Sequence, residues 1–140
     1  MQTLGTKEDL MWPLEQWPAM KFKDGLHIGS RGGHGLVRYT ITEYDPNRKI
    51  EFQFNKPIGI RGIHKLEIAE VPQGTQITHT IESTISGRAL LSWALFIRPF
   101  HDAVLEDAFD KVQRYFKEPH EASNWSFWVK GWRFIFKLMQ

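Results

Sequence analysis

The chain has 140 residues, no cysteine, six tryptophans, ten phenylalanines and a formal net charge of +2. That length suits one domain with a sizeable core, and the lack of cysteine excludes disulfides, thiolate nucleophiles and cysteine-based metal sites. The charge is too small for a nucleic-acid footprint without a matching motif, and with no leader-like start and no apolar run of membrane-spanning length, a cytoplasmic protein without a nucleic-acid partner is expected.

Residues 1–25 read as irregular. Thr6 and Asp9 fit a weak capping box for a short helix, but Trp12-Pro13 and Trp17-Pro18 break regularity and suit a segment pinned by buried indoles. Ile28 to Gly35 is glycine-rich. A phosphate-cradling loop would lead into a helix N-terminus, whereas here Leu36 to Tyr44 is β-branched and aromatic. The stretch therefore reads as a tight turn or bulge between strands. Asp45-Pro46-Asn47-Arg48 fits a type I turn, and Ile50, Phe52 and Phe54 alternate with polar residues in the strand after it. Pro57-Ile58-Gly59 breaks the chain. Residues 60–70 and 75–85 then alternate on either side of a turn at Val71-Pro72-Gln73-Gly74.

Arg88 to Lys117 reads as one long helix with a kink or fresh start at Pro99. Its first part is apolar around nearly the whole circumference and needs cover on more than one side. In the second part His101 falls on the apolar stripe with Val104, Leu105, Ala108, Val112 and Tyr115. Asp102, Glu106, Asp107 and Asp110 fall on the flank and back, as a solvated face would have them. With Lys111, Arg114 and Lys117 they complement the helix dipole. Glu118-Pro119-His120 ends the helix. Residues 125–139 make a second amphipathic helix, with Trp125, Trp128, Val129, Trp132, Ile135, Phe136 and Met139 as its stripe. That helix is expected to pack on its own domain or on a homodimer partner. Its bases and tryptophans also suit a membrane surface, the less favoured reading.

Opposed residues of antiparallel strands share a face. If the apolar faces of 60–70 and 75–85 coincide, His64 and His79 both point inward with their rings roughly 5–8 Å apart. With His101 they make three inward imidazoles. Their spacing holds no compact ligand motif, so no metal and no cofactor is expected. No serine or cysteine nucleophile stands in an identifiable motif.

Ile28-Gly29-Ser30-Arg31-Gly32-Gly33-His34-Gly35-Leu36-Val37-Arg38-Tyr39 resembles the glycine-rich loop and following strand of Bet v 1-type proteins. Gly62-Ile63-His64 and Arg98-Pro99-Phe100-His101-Asp102-Ala103 with Glu106-Asp107 are similar to bacterial members of the START-like, polyketide cyclase/dehydrase and lipid-transport superfamily, the SRPBCC proteins. The resemblance covers about residues 25–117. It implies an α+β helix-grip fold, a curved antiparallel sheet wrapped around a long C-terminal helix, here with an extra amphipathic helix. One START-like domain would span 1–140, with the irregular segment over 1–25, sheet and long helix over 25–117 and the aromatic tail over 118–140. Members of that superfamily open with a strand and two short helices before the glycine-rich loop; here that element is expected to be abbreviated or replaced, with the tail helix of the same chain or of a partner covering the surface it leaves.

The expected function is binding of a hydrophobic or amphipathic small molecule, lipid- or polyketide-like, between sheet and long helix. The ligand-lining set is Tyr39, His64, His79, Trp93, His101 and Leu105. The alternative is a cyclase- or dehydratase-type enzyme with His64, His79 and His101 as general acid/base candidates. A third reading is an interaction module working through the tail helix.

Overall fold

The computed structural model describes residues 1–119 and 123–138. Met139 of the expected tail stripe and His120 at the expected helix end lie outside them, as does the side chain of Phe136. The chain divides into two compact units, Met1–Gln2 with Met20–Leu90, and Thr3–Ala19 with Leu91–Gln140.

The first unit is a six-stranded antiparallel sheet in sequence order. Its strands are β1 Lys21–Phe22, β2 Arg31–His34, β3 Val37–Asp45, β4 Lys49–Lys56, β5 Ile60–Val71 and β6 Gly74–Ile85. Turn chemistry accounts for this meander. The β2–β3 link is the glycine-rich turn, the β3–β4 link is Asp45 to Arg48 with Asp45 accepting the Asn47 amide at 3.1 Å, and Pro72-Gln73 join β5 to β6. β5 and β6 pair without slippage from Ile60↔Ile85 to Val71↔Gly74. Gly62 makes this pairing possible. Its φ is +138°, and a Cβ there would lie 2.0 Å from the Glu82 carbonyl oxygen.

The register of β3 on β4 shifts twice, between Arg38 and Tyr39 and between Ile41 and Glu43. Each shift bends and twists the strand. The second skips Thr42, so Tyr44 returns to the face already taken by Tyr39 and Ile41 and opposes Ile50. Tyr39, Ile41, Ile50 and Phe52 on that face are fully buried, and Ile60, His64 and Leu66 of β5 are buried too.

The second unit holds the N-terminal segment and the helices. α1 Ala89–Ser92 begins at the unit boundary and runs into a π-helical turn, Trp93–Ile97, which α2 Arg98–Tyr115 continues. The π turn answers the expected kink. Pro99 has no N–H and its ring crowds the carbonyl one turn back. The chain widens there, and the Arg98 amide reaches back to the Trp93 carbonyl. α3 is Phe127–Leu138.

Two expectations need correction here. No helix forms around Thr6. Instead the buried Asp9 carboxylate accepts the amides of Gly5, Met11 and Trp12 at 2.6, 2.8 and 2.8 Å and folds residues 5–12 into turns. Asp107 and Asp110 also do not face water; both are buried. Asp107 accepts Trp17 Nε1 at 2.7 Å and Trp125 Nε1 at 3.2 Å, and it pairs with Arg133 at 3.4 Å. Asp110 accepts the Ser123 amide at 3.0 Å. The helix wheel alone left that flank to solvent; the N-terminal segment and the chain leading into α3 take it up. Arg133 further lies over the Trp17 ring at 5.9 Å, and Phe96 and Phe100 contact Trp132. Phe127, Trp128, Phe134 and Ile135 of α3 stay exposed, as do Leu91 and Leu95.

Candidate functional site

The sheet unit gathers its polar aromatics on one face. In register, Ile41, Phe52, His64 and Ile81 form one row across β3 to β6, and Ile50, Leu66 and His79 lie in the next row. His64 and His79 are thus offset by one row on neighbouring strands and share a face. Their ring centroids are 5.6 Å apart, with His64 Nδ1 at 3.4 Å from His79 Nε2. At that distance one ring donates and the other accepts, a long hydrogen bond.

The His64 ring sits in an aromatic stack. It lies nearly parallel to Phe54 at 4.8 Å and to Phe52 at 4.6 Å, and it meets Tyr39 edge-on at 5.2 Å. Alternation in β4 sends Phe52 and Phe54 to the same side, and the bulge at Arg38/Tyr39 seats Tyr39 opposite Phe54. Phe22 of β1 closes the layer, 6.0 Å from Tyr39 and 5.9 Å from Phe52. Gly32 leaves space for it, since a Cβ there would come within 2.5 Å of the Phe22 ring.

Tyr39 is the polar anomaly of this layer. Its side chain is fully buried, and its hydroxyl has no hydrogen-bond partner among the described residues. Burial pushes the phenol well above its ordinary range, against a smaller opposing pull from Arg38. The group is therefore a neutral donor aimed into an apolar aromatic environment, and leaving such a donor unmet costs about 1–3 kcal/mol.

Of the sequence-predicted set, Tyr39, His64 and His79 come together on this face. Trp93, His101 and Leu105 belong to the second unit, Trp93 opening the π turn and the other two on α2. His101 is half-buried. Burial lowers its pKa, and Asp102, 3.8 Å away, partly restores it through charge and hydrogen bonding. Four residues of the sheet layer lie outside the expected set, Phe22, Phe52, Phe54 and His34. In the sequence Phe52 and Phe54 stand out only as alternating apolar positions of their strand, and Phe22 lies in the stretch that reads as irregular. His34 was read only as part of the glycine-rich turn, yet its ring is 6.1 Å from Tyr39. Its signal was parity, because His34 lies two residues beyond Gly32 and so leaves the sheet on the side of Tyr39.

Among the described residues no group of three or more histidines and carboxylates is close enough to hold a metal ion. No helix there is long and apolar enough to cross a membrane. The layer's polar groups are imidazoles and a neutral phenol, framed by phenyl rings.

No family model and no curated protein matches the sequence. Among solved structures, the chain is similar to the crystal structure of CalU16 from Micromonospora echinospora. The TM-score is 0.53 at 12% identity, over 90% of this chain and 71% of that one. At that identity the likeness concerns the fold. The α+β helix-grip class is shown, with a six-stranded antiparallel sheet, a long helix and a further C-terminal helix.

Proposed function

We propose that the protein binds a hydrophobic or amphipathic small molecule that carries a carbonyl, carboxylate or hydroxyl group, with Tyr39, His64 and His79 supplying its polar contacts. The observation that carries this reading is the buried Tyr39 hydroxyl, without a protein partner among the described residues, beside an imidazole pair inside an aromatic layer. A ligand oxygen meeting that hydroxyl would relieve the cost of burying it, while the rings of Phe22, Phe52 and Phe54 would favour an apolar body. The helix-grip fold agrees with this reading without naming a ligand.

The test uses native mass spectrometry of the purified protein, then displacement of an environment-sensitive fluorescent fatty acid. Expected is a retained or titratable amphipathic ligand, with affinity reduced about three- to tenfold in Tyr39→Phe, the range of one lost hydrogen bond. The reading fails if fatty acids and aromatic polyketide-like compounds leave the probe in place, or if Tyr39→Phe and His64→Phe bind as the parent does.

The His64–His79 contact favours a second reading, acid/base catalysis of a cyclase or dehydratase type, in which the paired imidazoles exchange a proton with the bound molecule. Turnover that is lost in His79→Ala while binding persists would select it. Unchanged turnover, or turnover lost only in step with binding, would reject it. His101→Ala in the same assay tests the remaining imidazole.

A further inference from the structure

The two ends of the sheet differ in charge. At one end lie the start of β1, the β2–β3 turn, the β4–β5 turn and the exit of β6, because Lys21 pairs with Gly33, Arg38 with Lys56 and Ile60 with Ile85. Residues 20–21, 33–38, 55–61 and 84–90 make up this end and contain Lys21, Arg38, Lys56, Arg61 and Arg88, with no acid. All five bases are exposed, and none has an ion pair among the described residues. The other end is mixed in sign, with Asp24, Glu43, Asp45, Glu67 and Glu70 beside Lys23, Arg48 and Lys49 among its turns, and Lys49 there is paired to Glu43 at 2.7 Å.

The basic end works against the sheet's own stability. Lys21, Gly33, Arg38 and Lys56 stand in one row across β1 to β4, so Arg38 and Lys56 are directly opposed like charges. Such a pair destabilises a sheet unless something anionic lies over it. The same end also exposes two aliphatic tips. Leu36 of the β2–β3 turn is 89% exposed and Ile58 of the β4–β5 turn is 92% exposed. The Arg38–Lys56 pairing sets these turns side by side. Two aliphatic tips within a ring of cations match an anionic bilayer surface. The tips gain by entering the headgroup boundary, and the cations by meeting the lipid charges. Nucleic acid would use the cations but gain nothing from leucine and isoleucine, since bases stack on aromatic or guanidinium planes.

We propose that this end of the sheet is a docking surface for an anionic lipid membrane, with Leu36 and Ile58 inserting and Lys21, Arg38, Lys56, Arg61 and Arg88 facing the headgroups. This surface adjoins the Tyr39–His64–His79 layer at His34 and Arg38 but does not depend on a ligand there.

The experiment is sedimentation of the full chain with vesicles of phosphatidylcholine alone and of phosphatidylcholine with phosphatidylserine, at low and high salt. Expected is binding to the phosphatidylserine vesicles that high salt weakens. The Leu36→Asp/Ile58→Asp double variant and, separately, Lys56→Glu should each lose at least about tenfold in partitioning. Phe134→Asp, on the exposed side of α3, should bind as the parent does. These sites are exposed, and far-UV circular dichroism of each variant verifies its fold. The proposal is overturned by absent binding to phosphatidylserine vesicles at low salt, or by binding that survives both turn variants. Loss confined to Phe134→Asp would assign membrane contact to α3 and equally overturn it. So would an RNA oligonucleotide that binds the parent and the double variant alike while vesicles bind neither.

Discussion

Asp107→Ala removes the carboxylate on which the second unit converges. Asp107 is 6% exposed and accepts two indole N–H groups, at 2.7 Å from Trp17 and 3.2 Å from Trp125, with Arg133 at 3.4 Å. Alanine would remove the Arg133 pairing and both indole contacts at once. A hydrogen bond to a charged group contributes about 1.5–3 kcal/mol, and removing one member of a buried ion pair costs about 3–5 kcal/mol. The three contacts share one carboxylate and do not add, so the expected loss is about 3–4 kcal/mol. Asp107→Asn keeps an acceptor oxygen and loses the charge, for about half that effect. Asp110→Ala gives up a single amide contact from Ser123 and should cost about 1 kcal/mol. Urea unfolding followed by tryptophan fluorescence is well placed to measure this, because all six tryptophans, at 12, 17, 93, 125, 128 and 132, lie in the second unit. A double-mutant cycle with Arg133→Ala should return a coupling of about 1 kcal/mol or more. If Asp107→Ala unfolds within about 1 kcal/mol of the parent, or no earlier than Asp110→Ala, the carboxylate does not hold the unit together.

Gly62→Ala should cost more than about 2 kcal/mol, since its Cβ would meet the Glu82 carbonyl at 2.0 Å; far-UV circular dichroism melts would register it, and a neutral result would refute the close β5–β6 approach. Tyr39→Phe should leave the ligand-free protein as stable or up to about 1 kcal/mol more stable, because the hydroxyl it removes is buried without a partner among the described residues; a loss of more than that would mean the hydroxyl is satisfied. His101 binds its proton more weakly when folded than when unfolded, so its contribution is complete above its unfolded pKa, near 6.5, and is lost as pH falls toward the lower folded value. Urea midpoints should therefore fall between about pH 7 and 5, less steeply in His101→Leu and more steeply in Asp102→Asn, which loses the group that holds the imidazole up; parallel slopes in all three would sink the argument. Deleting 120–140 removes Trp125 and Arg133 from Asp107 and should leave a chain that is less stable or self-associates by size-exclusion chromatography, whereas an equally stable monomer would show that α3 is dispensable.

The sheet was legible because its signals are local. Alternation at Ile50, Phe52 and Phe54 needs only a period of two, and Asp45-Pro46 and Pro72-Gln73 mark turns by their own chemistry. The helix ends were legible for the same reason, down to the disturbance that Pro99 forces on the preceding turn. What stayed hidden depended on partners distant in sequence. A helix wheel knows only its own axis and gives Asp107 to solvent as the default for an acid. Trp17, ninety positions earlier, supplies the indole that reverses this.

The site divides along the same line. His64 and His79 were legible because one tight turn fixes the register of β5 on β6, and parity then determines which side chains share a face. Phe54 joins them by alternation with Phe52, which faces His64, whereas Tyr39 and with it His34 come in through β3, whose two register shifts no alternation pattern announces. An unshifted β3 would carry Tyr44 away from the face of Tyr39. The bulges therefore decide which polar groups the layer collects, and they place a phenol and an imidazole pair among phenyl rings. A bare core would be better served by phenylalanine at position 39, which offers the same packing without an unmet hydroxyl. The tyrosine thus carries a cost that phenylalanine would not, and an oxygen acceptor at its hydroxyl would offset it.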